Sequence, residues 1–304
     1  MATTNSIPFH EMDGWIWYDG KLVPWKDAKL HVLTHALHYA SCVFEGERVY
    51  GGQIFKLREH TNRLIYSADL LGFEIPYSAD QIDAACKETA KANKIDDGYV
   101  RPVAWRGSEQ MGVSAPGTKI HLAIAVWTWP SYFSPEARTK GISMVTSKWR
   151  RPAPDTAPVH AKCSGLYMIC TLSKHEAEAK GYDDALMLDW KGRVAEATGA
   201  NIFVMFGDNK VITPPTDCFL NGITRQTVME LARKRGYEVV ERHMEPAELK
   251  NAKEIFVTGT AAEITPVGKI DDMTFTPGAI TKALIEDYDS LVGRVPAKAA
   301  SAAE

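Results

Sequence analysis

Lys162 lies in "VHAKCSGLY" (159–167), an amine among Ala161, Cys163, Ser164 and Gly165, with a long apolar-rich segment following it. Lysine ordinarily keeps its ammonium in water at a surface. The other use of an amine among small and apolar neighbours is as a desolvated nucleophile of lowered pKa, aimed at a carbonyl or aldehyde. An amine that holds an aldehyde cofactor such as pyridoxal 5′-phosphate (PLP) needs further groups. A carboxylate must keep the pyridine nitrogen protonated, because the ring works as an electron sink. A phosphate cradle is needed, best made from N–H groups at a helix N-terminus plus a cation. A hydroxyl must sit near the phenolic oxygen.

The chain contains a candidate for each. Glu196 in "VAEATGANIF" lies between strand-like runs in a stretch short of charge. "NGITR" opens a helix with Gly222, Ile223 and Thr224, and Arg63 stands one turn into "REHTNRL". "VTGTAAEITP" adds a hydroxyl-rich turn at Thr258 to Ala262, and Tyr167 follows the lysine by five residues. Each also has an ordinary reading: Glu196 as an exposed strand residue, Gly222 to Thr224 as a plain helix start, Arg63 as part of a solvated helix face. Their joint presence favours the chemical reading. His31, His35 and His38 fall at helical spacing, but no carboxylate or thiol is suitably placed to complete a metal site with them. They are read as structural or pocket-lining, and no metal is expected.

The elements that must position these groups follow from pattern. "WIWYDGKLVPW" reads as a hairpin about Asp19-Gly20. Two helices follow, "REHTNRLIYSADLLGFEIP", stopped by Gly72, and "SADQIDAACKETAKANK", capped by Ser78. "GYVRPVAWRG" and "KIHLAIAVWTW" read as strands, and "SYFSPEARTKG" breaks the pattern as an interdomain loop. "ISMVTSKW" resumes it as a further run after that loop. "LYMICTLSKHEAEAKGY" is a helix ended by Gly181, strands fill the stretch from "DDALML" to "VITPP", and "GITRQTVMELARKRG" is a helix entered through Gly222. "EVVER", "EIFVTG" and "EITPVGKI" read as strands. The expected architecture is mixed α/β (α+β) in two domains, the second richer in sheet. The expected divisions are 1–131, an interdomain loop at 132–142, 143–290, and a low-complexity, disordered tail at 291–304.

The 304 residues are 45% hydrophobic and 24% charged, enough for two domains of common size. A net charge of −3 gives no basic excess for nucleic acid or an acidic membrane surface. No signal peptide or bilayer-spanning run is read in the chain. The five cysteines form no CxxC pair, which suits reduced thiols in a cytoplasm.

The order "FEGERVY", "REHTNRL", "YVRPVAW", "QMGV", "HAKCSGLY", "AEATGANIF", "NGITR", "GTAAEITP" resembles the class IV, fold-type IV PLP-dependent aminotransferases, the D-amino-acid aminotransferase-like fold. Among them it is most similar to the bacterial branched-chain amino-acid aminotransferases, from about Asp13 to about Tyr288. The resemblance implies PLP bound as a Schiff base to Lys162, with Glu196 at the pyridine nitrogen and Tyr167 at the phenolic oxygen. Arg63, Gly199, Leu220, Gly222, Ile223, Thr224 and Thr260 fall on the cofactor site. Tyr39, Phe44, Gly46, Arg48, Tyr99, Arg101, Met111, Val113, Trp129 and Tyr132 fall on the substrate pocket, where Thr260 and Ala261 receive the α-carboxylate. The implied reaction moves the amino group of L-leucine, L-isoleucine or L-valine to 2-oxoglutarate and back. Arg101 with Tyr39 would take the glutamate side-chain carboxylate. In the family the "QMGV" loop reaches a neighbouring subunit's site, so at least a homodimer is expected, with a hexamer within range. Departures from the usual family pattern are Cys163, Ser164 and Leu166 after the lysine, and Ala197, Thr198 and Ala200 after the glutamate. The rival readings are a D-amino-acid or (R)-selective amine aminotransferase, an aminodeoxychorismate lyase, a PLP-binding protein without turnover, and a scaffold without cofactor.

Overall fold

A computed structural model describes residues 7–129, 133, 136–207 and 209–294. The chain forms two compact units, Met1–Pro130 with Ala161–Gly165, and Ser131–His160 with Leu166–Glu304. No helix among the described residues is long and apolar enough to cross a membrane.

The first unit holds strands β1 (Trp15–Tyr18), β2 (Lys21–Pro24), β3 (Cys42–Phe44), β4 (Glu47–Tyr50), β5 (Gln53–Ile54), β6 (Gly98–Arg106) and β7 (Ile120–Trp127), with helices α1 (His35–Tyr39), α2 (Leu57–Leu70) and α3 (Ala79–Ala92). The sheet is antiparallel in the order β2-β1-β7-β6-β4-β5, with β3 also on β6. The expected hairpin forms, Asp19 and Gly20 both taking the positive φ that its turn requires (46° and 97°). Ser78 and Gln81 make the capping box of α3. Leu64, Ile82, Val100, Leu122 and Ile124 are fully buried, each worth roughly 1.5–3 kcal/mol of burial.

β3 and β4 share one register on β6. Phe44 faces Val103 and Glu47 faces Val100. The ladder is interrupted between them because Pro102 has no N–H to give, although its carbonyl still accepts from Glu45 N at 2.8 Å. Strand alternation therefore puts Phe44, Gly46 and Arg48 on one face, and Glu45 and Glu47 on the other, toward α2 and α3.

The lysine segment was expected in the second domain, but Ala161–Gly165 joins the first unit. Backbone pairing is the reason. Val43 bridges Cys163 antiparallel, and Phe44 N donates to Lys162 O at 3.0 Å. The segment thus lies along the free side of β3.

The second unit holds α4 (Ala137–Lys140), β8 (Ile142–Arg150), α5 (Tyr167–Ala179), β9 (Asp184–Leu188), β10 (Val194–Ala197), β11 (Asn201–Met205), β12 (Lys210–Thr213), α6 (Ile223–Lys234), β13 (Glu238–Glu241), β14 (Glu254–Gly259), β15 (Glu263–Ile270), β16 (Met273–Thr274) and α7 (Ala279–Leu291). Its sheet runs β10-β9-β8-β15-β14-β11-β12-β13, and the β10–β11 pairing closes six of these strands into a ring. Ile142, Met144, Leu186, Ile202, Val204, Val257 and Val267 fill its core. Where an unbroken interdomain loop was expected at 132–142, the described residues include the single turn of α4 and the start of β8. The tail is described only to residue 294, and its helix α7 extends to Leu291, one residue into the stretch read as tail.

Candidate active site

In the first unit, the pairing of Phe44 with Lys162 puts both side chains on one face of the sheet. Lys162 Nζ stands 4.8 Å from the centre of the Phe44 ring. The Arg101 guanidinium lies over the same ring at 4.9 Å and over Tyr99 at 5.3 Å. Trp129 packs against Tyr99 with ring centres 5.2 Å apart. Gly46 keeps this group together, since a Cβ there would fall 1.8 Å from Tyr99 Oη. Burial pushes the Lys162 amine down to about 8, and the nearby Arg63 charge adds to this against the opposing pull of Glu45. Lys162 N is anchored by Ser67 of α2 at 2.9 Å.

Arg63 reaches this region from α2 as one member of a buried cluster. Its Nε and Nη2 bond to the two oxygens of Glu45 at 2.6 and 2.8 Å, and His60 Nδ1 meets Glu45 Oε2 at 2.7 Å. Burial alone would raise the Glu45 pKa, but Arg63 and His60 hold it well below the usual carboxylate range. Desolvation lowers the His60 pKa, so its ring is neutral at pH 7 and Nδ1–H donates.

The remaining first-unit candidates divide in two. Arg48 is buried and bonds Asp97 at 2.7 Å and the Trp129 carbonyl at 3.3 Å, which makes it a brace behind the aromatic wall. Tyr39, Met111 and Val113 are exposed. His35 links their two segments, packing at a tilt against Tyr39, bonding Ser41 Oγ and bonding Gly112 O at 2.9 Å. No group of His, Cys, Asp and Glu among the described residues is arranged to hold a metal ion. Tyr132 lies outside the described residues.

In the second unit, Glu196 is buried on β10 beside Arg151, with Nε 3.3 Å from Oε1. Burial works against the Arg151 charge, but Glu196, Cys170, Tyr167 and Cys218 together outweigh it and raise the pKa. Asn201 Nδ2 donates to Glu196 Oε2 at 3.2 Å and to Leu220 O at 3.1 Å, while its Oδ1 accepts Gly222 N–H at 3.2 Å. One amide therefore joins the carboxylate to the start of α6. Gly222 is needed for this approach, because a Cβ would meet Asn201 Oδ1 at 2.2 Å. No side chain caps α6, and buried Ile223 and Thr224 form its first turn. Its leading N–H groups and the positive end of its dipole make an anion site. The turn after β14 carries Thr260 and Ala261, and Gly259 beside it packs against Gly199 and Ala200, a Cβ there meeting the Gly199 carbonyl at 3.2 Å. Asn201 pairs with Glu196 on one side and with Thr258 on the other, which aligns the three across neighbouring strands. Thr258 Oγ1 is buried with no hydrogen-bond partner among the described residues. Tyr167 opens α5, half-buried, as an electrostatic neighbour of Arg151.

The family model described as amino-transferase class IV matches residues 42–270. The chain belongs to that family. This class IV aminotransferase is 44% identical over 281 residues to a probable branched-chain-amino-acid aminotransferase of Rickettsia felis, covering 91% of this chain and 95% of the relative. The crystal structure of the Escherichia coli branched-chain amino acid aminotransferase superposes with a TM-score of 0.90 at 37% identity, over 94% of this chain and 97% of that one. The branched-chain amino acid aminotransferase from Thermobaculum terrenum, in its PLP-form, gives 0.84 at 31% identity, over 93% and 95%.

The residues present fit a phosphorylated pyridine aldehyde. The first unit has an amine of lowered pKa and an arginine on a buried carboxylate; the second, by itself, has a buried carboxylate held by an arginine and an amide, and an uncapped helix start. Glu45 and His60 beside Arg63, and Arg151 and Asn201 beside Glu196, were not singled out in the sequence. Glu45 and His60 lie within "FEGERVY" and "REHTNRL", and Asn201 within "AEATGANIF"; Arg151 carries no local signal.

Proposed function

We propose that this class IV aminotransferase exchanges the amino group between L-leucine, L-isoleucine or L-valine and 2-oxoglutarate, with PLP attached to Lys162 Nζ as a Schiff base. The carrying observation is the Lys162 amine over Phe44. At a pKa of about 8, about a tenth of it is neutral at pH 7, against well under a thousandth at the ordinary lysine value.

Bound PLP supplies an electron sink for charge developing on the substrate α-carbon. The other tasks fall to side chains of this chain. Lys162 Nζ would hold the cofactor, and as a neutral amine of lowered pKa it would serve as the base for the substrate α-proton. Glu196, oriented by Arg151 and Asn201, keeps the ring nitrogen protonated, and Tyr167 donates to the phenolic oxygen. The N–H groups of Ile223 and Thr224, with Thr260 and Arg63, take the phosphate. Phe44, Tyr99 and Trp129 suit an aliphatic side chain, whereas Arg101 with Tyr39 suits the second carboxylate of glutamate. Exposed Met111 and Val113 support assembly into a homodimer or a larger homo-oligomer. The free cysteines suit a cytoplasmic location.

The test is the visible spectrum of the purified protein. The cofactor band should be lost with L-leucine and return with 2-oxoglutarate. A response only to D-alanine or an (R)-amine would overturn the substrate assignment. No band after incubation with PLP would overturn the role of Lys162.

A further inference from the structure

We propose that Glu45 is a positioning residue for cofactor binding: it fixes the Arg63 guanidinium for the phosphate of PLP. This rests on the PLP reading above. Register is the first ground. Glu45 lies one residue past Phe44 and points to the opposite face of the sheet, where α2 presents His60 and Arg63 one turn apart. Its carboxylate is fully buried and accepts four hydrogen bonds: two from Arg63, one from His60 and one from Gly46 N at 3.2 Å. The planar fork of Arg63 is thereby held at its Nε–Nη2 edge, so its Nη1 side faces away from Glu45. The Arg63 side chain keeps 16% of its surface exposed, so a ligand can reach it.

Charge is the second ground. The groups acting on Lys162 are Arg63 and Arg101, which disfavour its ammonium, and Glu45 and Tyr99, which favour it. Glu45 therefore couples two tasks, because the carboxylate that orients the phosphate cation also offsets that cation at the nucleophile. Gly46 N–H on the same carboxylate ties both to the residue that makes room for Tyr99.

The full-length apoprotein is titrated with PLP and with pyridoxal, which lacks the phosphate, for the unsubstituted chain, Glu45→Gln and Glu45→Asp. In Glu45→Gln, PLP affinity should fall at least tenfold and pyridoxal affinity less than threefold. The pH midpoint for formation of the lysine-bound band should also move down. Glu45→Asp keeps the charge but shortens the reach to Arg63. It should lose preference for PLP over pyridoxal while keeping the midpoint, and it decides the matter if Glu45→Gln does not fold. Equal loss of affinity for both ligands would show a merely structural role and overturn the proposal, as would an unchanged preference. If borohydride reduction of the unsubstituted chain with PLP leaves Lys162 unlabelled, the PLP reading has failed, and the role of Glu45 with it.

Discussion

Glu47 projects toward the helices from β4, fully buried, with neither side-chain oxygen hydrogen-bonded among the described residues. Burial, then repulsion from Glu45 and Asp83, pushes its pKa well above the carboxylate range. The folded chain therefore holds a proton that the unfolded chain releases near pH 4.3, to within about a unit. A raised folded pKa contributes stability that is fully present below the unfolded value and is lost as pH rises toward the folded one. Within that window the loss is about 1.4 kcal/mol per pH unit. Glu45, held low by its partners, stays ionised throughout and adds no slope there. Glu47→Gln keeps the shape and removes the titration. Urea unfolding at a series of rising pH values should show the variant gaining stability on the unsubstituted chain, by up to about 1.4 kcal/mol per pH unit. Glu47→Leu also removes the unsatisfied oxygens and should be more stable by about 1–3 kcal/mol at pH 6.5. Parallel pH dependences for Glu47→Gln and the unsubstituted chain would refute the reasoning, because they would mean that Glu47 is ionised in the fold.

Three further outcomes are expected. Gly46→Ala puts a methyl group 1.8 Å from Tyr99 Oη and must displace the ring, so steady-state kinetics should show at least a tenfold lower kcat/KM for L-leucine with PLP affinity kept. Asn201→Ala leaves Glu196 and the Gly222 N–H without their amide; thermal unfolding should report a loss of about 1–3 kcal/mol, and PLP should dissociate at least tenfold more readily. In stopped-flow mixing of the apoprotein with PLP, the rate of attachment to Lys162 should rise with pH through a midpoint near 8; a midpoint near the ordinary 10.5 would remove the case for a tuned amine.

Much of the architecture is legible where local chemistry is strong. Asp19-Gly20 selects its hairpin through positive φ, Ser78 its helix start through a capping hydroxyl, and Gly222 opens α6 where a Cβ would clash. The long helices follow from their apolar stripes. The affiliation of the lysine segment is not legible, because a bridge between Val43 and Cys163 leaves no mark on either stretch. The side chains that orient the candidate site are equally silent. Arg151 stands eleven residues before Lys162 with nothing local to set it apart from Arg150 beside it, and only the fold brings it to Glu196. Glu45 and Glu47 show the same limit. As carboxylates two apart on a strand they share a face, yet opposite protonation follows from which one meets Arg63 and His60.

The return of Ala161–Gly165 to the first unit bears on how the protein is made. Neither unit is a continuous stretch of chain, so no single cut releases either one whole. A ribosome that has released 130 residues has delivered all seven strands of the first sheet, but not the segment that lies along β3. Until that segment emerges, β3 presents an unpaired backbone edge open to pairing with other chains. A fragment ending at residue 130 should therefore aggregate on expression, and its staying monomeric would show that the edge is protected in some other way. The nucleophile arrives within the last piece of its unit to be synthesised, so the half-built chain exposes its sheet before it owns a reactive amine.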